Sequence, residues 1–200
     1  MSIFWRPYLP LLIILNFIYI LYPYIRIGKT PITLTDFAAS FNGANVSSHS
    51  KTYDPKTNIL YLSGIPLIYL SPNEPNILLQ RPVKNLRIDD CWLMKGSNGY
   101  VEIELEKAVY VHQLVYHHFN QTGISDSTPK IIDVEAITNT ILHLGTFNIF
   151  DNVITQIDEH NNHTVVSRLR FRVLQNYGNQ IFTTLCRFQI FGEEENMNIN

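Results

Sequence analysis

"DDCWLMKGSNGYVEIEL", residues 89–105, joins a Cys-Trp pair to a glycine-rich turn and then to an alternating run. Lysine beside glycine and serine raises the idea of a phosphate cradle. Such a loop needs its glycines before the Lys-Ser/Thr, so that backbone N–H groups wrap the phosphates and lead into a helix. Here the order is Lys95, Gly96, Ser97, Asn98, Gly99. The residues after Gly99 are not helical either, because Val101, Ile103 and Leu105 alternate with Glu102, Glu104 and Glu106. A period of two reads as a half-buried strand. The stretch is a turn feeding a strand.

Strands of that kind fill the rest of the chain. Segments 100–105, 111–119, 130–137, 141–149, 164–174 and 185–193 carry strand patterns, and "NILYLSGIPLIYL", 58–70, reads as two short strands around Ser63-Gly64. Pro66 fits only at an edge. In 164–174, Val166, Arg168, Arg170 and Arg172 fall on one face and Leu169, Phe171 and Val173 on the other, a sheet with one wet side. Residues 72–90, with prolines at 72, 75 and 82, read as an irregular loop ending at Cys91. The pattern predicts an all-β sandwich of the jelly-roll kind.

The composition bounds the function. The chain has 200 residues, 46% of them hydrophobic, and a formal charge of −2. That is enough for one domain with a core, and it offers no basic face to nucleic acid. Two cysteines, Cys91 and Cys186, exclude a CxxC metal site and allow one disulfide in an oxidising compartment. "YLPLLIILNFIYILYPYI", 8–25, is uncharged; as a helix it rises roughly 27 Å, close to the ~30 Å of a bilayer core. The absence of a small-residue cleavage site favours a retained signal anchor over a removed signal peptide. The expected organisation is a short tail at 1–7, a single membrane span at 8–25, a linker at 26–35, a folded domain at 36–194 and a tail at 195–200. Asn45-Val46-Ser47, Asn120-Gln121-Thr122 and Asn162-His163-Thr164 fit the N-glycosylation pattern.

Catalytic readings are weak. On one strand His112 and His118 share a face but lie roughly 20 Å apart, and His117 points the other way, so no metal triad forms. Ser127 has no nucleophile-elbow glycines around it. The arginines of 168–172 are those of a solvated strand face. The sequence indicates no enzyme.

Three stretches then carry a resemblance. "DDCWLMKGSNGYVEIEL", "DSTPKIIDVEAI" and "RLRFRVLQNYGNQIFTTLCRFQIFGE" resemble the SUN domain, the lumenal β-sandwich of inner nuclear membrane proteins. "SHSKTYDPKTNILYLSGIPLIYLS" is similar to the family's upstream hairpin, so the likeness runs from about residue 36 to 194. The resemblance implies a homotrimer that binds the C-terminal peptide of a KASH protein, one half of a LINC bridge between the nuclear membranes. The hairpin at about 53–73 would be the lid, adding the peptide as an extra strand through Asn58, Leu60, Leu62, Ile65 and Leu67. Pocket positions of the family fall on His118, Ser127 and Phe182. Backbone carbonyls of Ile77, Gln80, Asp90 and Cys186 would hold a structural potassium ion.

Several positions depart from the family pattern. Phe182 stands where a tyrosine hydroxyl helps hold the peptide carboxylate, and His49 where some relatives carry a cysteine that bonds the partner. The family's loop disulfide joins the position of Cys91 to that of Thr184. Cys186 lies two residues on, so a Cys91–Cys186 bond and two buried thiols both stay open. The chain has no coiled coil and almost no nucleoplasmic region. These departures keep a second expectation in view, a SUN-like protein of the endoplasmic reticulum engaged in membrane-protein folding or maintenance. A carbohydrate-binding jelly roll shares the architecture but lacks an aromatic platform in the loops.

Overall fold

The chain divides into two units, residues 1–33 and 34–200. The structure, a computed structural model, describes residues 35–55, 59–69, 71–119, 124–150 and 165–195. The expected span at 8–25, with its flanking tail and most of the linker, lies outside the described residues. No described helix is long and apolar enough to cross a membrane.

The second unit is built from β1 (Thr35–Asp36), β2 (Asn45–His49), β3 (Ile59–Leu62), β4 (Ile65–Tyr69), α1 (Ile77–Gln80), β5 (Trp92–Lys95), β6 (Gly99–His117), β7 (Pro129–Ile137), β8 (Ile141–Asn148), β9 (Val165–Asn176), β10 (Phe182–Leu185) and β11 (Arg187–Glu194). A large antiparallel sheet runs β1-β11-β6-β9-β7-β8, with β2 added beside the first part of β6. β5 and β10 form a second ribbon, and β3 and β4 pair only with each other. Trp92, Met94 and Leu185 of the ribbon bury against Val101, Ile103, Leu169, Phe171, Phe188 and Ile190 of the large sheet. The all-β, sandwich-like architecture is therefore present. Each fully buried side chain of this size stabilises by about 1.5–3 kcal/mol relative to exposure.

Five details depart from the sequence reading. Segments 100–105 and 111–117 lie in one strand, β6, which carries register irregularities against its neighbours, the one facing β9 between Glu104 and Val109. That irregularity turns Val166 into the core, where it is buried with Leu169 and Phe171 instead of sharing the arginine face. Nor is that face simply solvated. Glu102 and Glu135 flank Arg170 in the two neighbouring strands, and both are buried. Arg170 pairs with both carboxylates, Arg172 with Glu135, and Arg168 with Glu104. Residues 72–90 contain a helical turn, because Ile77, Leu78 and Leu79 must bury and Pro75 sits where no helical N–H is needed. The final strand pattern breaks at Cys186, which separates β10 from β11.

Two long-range ties fix the loop between hairpin and core. Cys91 and Cys186 form a disulfide, 95 residues apart. Arg187, 3% exposed, donates to the carbonyl of Leu78 in α1 and pairs with Asp36 of β1. Asp36 also accepts from the backbone N–H groups of Ala38 and Ile190. This accounts for the arginine of "CRFQIFGE": it anchors strand, helix and chain entry at once. The glycine of the same motif sits at a bulge, where a Cβ on Gly192 would lie 2.1 Å from the Tyr110 carbonyl oxygen.

Candidate functional site

The Cys-Trp stretch is the hub around which the site is built. Trp92 is fully buried and donates its indole N–H to Thr52 Oγ1 at 2.9 Å. Thr52 bridges Met94, Lys95 N–H donates to the Lys51 carbonyl, and Tyr53 N–H donates to the Leu93 carbonyl. Residues 51–53 thus run antiparallel beside β5, joined to it by an isolated bridge. The glycine turn is closed from the other side, with Gly96 N–H on the Ile181 carbonyl and Thr183 Oγ1 on the Gly96 carbonyl. Asn176 shapes that side; its amide donates to the carbonyls of Asn179 and Phe182, and its carbonyl accepts from Gly178 N–H.

These contacts place Phe182 at the outer face of the ribbon, stacked on Tyr53 with ring centroids 5.0 Å apart and planes 16° from parallel. Two residues on, Thr184 is buried and its hydroxyl meets that of Ser127 at 2.9 Å. Ser127 also meets Ser125 Oγ at 3.2 Å. His118, 7% exposed, lies in the same region through its own chain of bonds. Tyr116 hydroxyl donates to the Thr184 carbonyl, so its oxygen accepts from His118 Nδ1–H at 2.8 Å. His118 Nε2 is then left to accept from Thr128 Oγ1 at 3.2 Å. Burial lowers the His118 pKa to about 4, which keeps the ring neutral, and pushes the Tyr116 phenol up. Cys186 Sγ lies 3.5 Å from His118 Nδ1, which puts the disulfide beside this network.

The structure therefore brings His118, Ser127 and Phe182 to one end of the sandwich. Thr184, Thr128 and Tyr116 complete the cluster; their residue types gave no sign of it, because only the strand pairing assembles them. His112 and His117 are elsewhere, facing Glu193 and Gln189. No group of three or more potential metal-binding side chains occurs among the described residues.

The hairpin stands apart from both sheets. Leu62, Ile65, Leu67 and Ile68 are each more than half exposed. Asn58 lies outside the described residues, and Leu60 is placed here only as a backbone position in β3. At the base of the hairpin Tyr69 hydrogen-bonds Asp54, which raises the phenol pKa. Asn73 donates its amide to the carbonyls of Asp89 and Cys91. A cavity of about 300 Å³ lies between this root (Pro55, Ser71–Asn73) and the disulfide loop (Ile88, Asp89, Cys91, Leu93).

The residues expected around a cation lie on segments that two long-range ties connect. The disulfide ties the residue after Asp90 to Cys186, and Arg187, the next residue in the chain, holds the Ile77–Gln80 turn. Main-chain carbonyl oxygens are the hard donors that a monovalent cation takes, so the donor set fits in kind.

Comparison with known proteins points one way. Residues 70–194 match the family described as Sad1/UNC-like C-terminal. The chain is 28% identical over 174 residues to SUN domain-containing protein 1 of Homo sapiens, covering 80% of this chain and 22% of that protein. It is 29% identical over 167 residues to the nuclear migration and anchoring protein unc-84 of Caenorhabditis elegans, covering 77% of this chain and 15% of that protein. The chain thus spans a minor part of these relatives' length. Among solved structures, the family 32 carbohydrate-binding module of Streptococcus pneumoniae EndoD superposes with a TM-score of 0.57 at 14% identity, over 80% of this chain and all of that one. Allantoicase of Saccharomyces cerevisiae gives 0.55 at 16%, over 82% and 44%. Those two likenesses speak to the fold alone.

Proposed function

The chain belongs to the Sad1/UNC-like C-terminal family, and from that premise we propose that it is a SUN-domain tether of the nuclear envelope. It captures the C-terminal tail of a KASH protein in the perinuclear space, linking the nuclear membranes in the manner of a LINC complex. Its role is binding, with no reaction. The observation that carries this reading is the β3–β4 hairpin, which offers unpaired strand edges and exposed apolar side chains, and whose entry segment meets Phe182 through the Tyr53 stack. An incoming tail adds a strand to the hairpin, takes affinity from main-chain bonds, and ends at the cluster. The domain works as a homotrimer anchored by the span at 8–25, and a potassium-type cation sits at the carbonyls of Ile77, Gln80, Asp90 and Cys186.

The test is capture of synthetic KASH tails with and without one added C-terminal residue. Capture of the native tail and loss on extension are expected. Equal capture of both forms means the tail's end is not read, and the bridge account fails. That result would favour the second reading, membrane-protein maintenance in the endoplasmic reticulum, which Phe182 supports because it brings no hydroxyl to the cluster.

A further inference from the structure

The polar atoms of the cluster are already committed. His118 uses both ring nitrogens, Ser127 shares its hydroxyl with Thr184 and Ser125, and the Tyr116 hydroxyl is taken by the Thr184 carbonyl. A carboxylate arriving there meets a neutral ring and satisfied hydroxyls. Breaking those bonds to make new ones gains little, since each buried group left unpaired costs about 1–3 kcal/mol. The donor for an anion must come from elsewhere.

The ribbon supplies it one step outward. The Thr52–Met94 bridge and the bond from Lys95 N–H to the Lys51 carbonyl set Lys51 directly opposite Lys95. Side chains of directly opposed residues share a face, with Cβ atoms roughly 4.5–5.5 Å apart. Lys95 is in turn directly opposite Phe182 in the β5–β10 pairing. Lys51, Lys95 and Phe182 therefore form one row across the ribbon, and Tyr53, on the next row, leans over to stack on Phe182. Both lysines are exposed, and neither ammonium has an ion-pair partner among the described residues. The Tyr53 hydroxyl has no hydrogen-bond partner among them either. Like charges directly opposed in a sheet destabilise it. An uncompensated lysine pair beside a free phenol and an aromatic floor is what an anion site looks like before its anion arrives.

We propose that Lys51, Lys95 and Tyr53 form the receptor for the terminal carboxylate of the bound tail, with Phe182 as its apolar floor. The inference rests on the tail-capture reading and refines it: the buried cluster shapes the end of the groove, and the outer row reads the charge. Tyr53 supplies the phenolic donor that Phe182 lacks, from the far side of β5.

The test uses the full chain in detergent micelles and dye-labelled 20-residue KASH tails, as free acid and as C-terminal amide. Affinities are read by fluorescence anisotropy for wild type, the double variant Lys51→Gln/Lys95→Gln, and Tyr53→Phe, which keeps the ring stack. Wild type should prefer the acid roughly ten-fold or more, as charge-assisted bonds require. The double variant should lose most of that preference while holding the amide at wild-type affinity, and Tyr53→Phe should lose part of it. Variants that keep the wild-type acid-to-amide ratio overturn the receptor and leave tail capture standing. Wild type that binds both forms equally, or binds no tail, overturns both.

Discussion

Burial sets the pH response of the polar residues in this domain. His118 gives a measurable consequence, because burial holds its pKa near 4 against an ordinary 6.5. A neutral buried histidine resists protonation, so the unfolded chain binds its proton first and stability declines as pH drops from about 6.5 toward 4. At pH 5 this group alone should lower unfolding free energy by about 2 kcal/mol relative to pH 7. Denaturant midpoints at the two pH values, compared between wild type and His118→Gln, isolate the effect; parallel curves would remove it. His117 shifts in the same direction, again because of burial, and adds to the slope in both proteins. Sequence alone locates His118 through its resemblance to a pocket position, but not its state, which depends on Tyr116 and Thr128 closing around it. Lys95 shows the opposite case. Its place beside glycines is visible at once, yet its significance lies in facing Lys51, a pairing made by strands far apart in sequence.

Among the elements, the hairpin is the most legible and the connection after it the least. Two apolar runs around Ser63-Gly64 fix β3 and β4 without tertiary help, since the turn residues adopt the positive φ that reverses the chain. Residues 72–90 are opaque because prolines mask the short apolar run that becomes α1, and because a disulfide and a guanidinium hold the rest. β6 reads as two strands in the sequence because its alternation lapses around Lys107, although the chain keeps its direction. Leu62, Ile65, Leu67 and Ile68 are more than half exposed, so these side chains contribute little to folding. Replacing Ile65 and Leu67 by serine should leave the thermal midpoint nearly unchanged, within about 0.5 kcal/mol per site, while abolishing tail capture. A large fall in melting temperature would show that the hairpin is part of the core after all.

At the scale of the whole molecule, the sandwich is readable from strand spacing and the closure of its loops is not. Cys91 and Cys186 are equally consistent with free thiols in the sequence, because the longer loop before Cys91 hides how close the two come. Their bond closes a loop of 95 residues, and losing it should destabilise the domain by roughly 3–5 kcal/mol. Urea unfolding of Cys91→Ser/Cys186→Ser against wild type measures this, and an unchanged midpoint would mean the loop is held by Arg187 and Asn73 alone. The same bond has a mechanical consequence. The entry to the hairpin is fastened along β5 at Tyr53, and its exit is clasped to the Cys91 loop by Asn73. Load that reaches the Cys91 loop from the finger therefore has, besides the backbone into β5, a second covalent path through a sulfur–sulfur link to the head of β11, which lies between β1 and β6. Part of that tension thus enters the large sheet at an interior strand with a neighbour on each side, and not at its β8 edge.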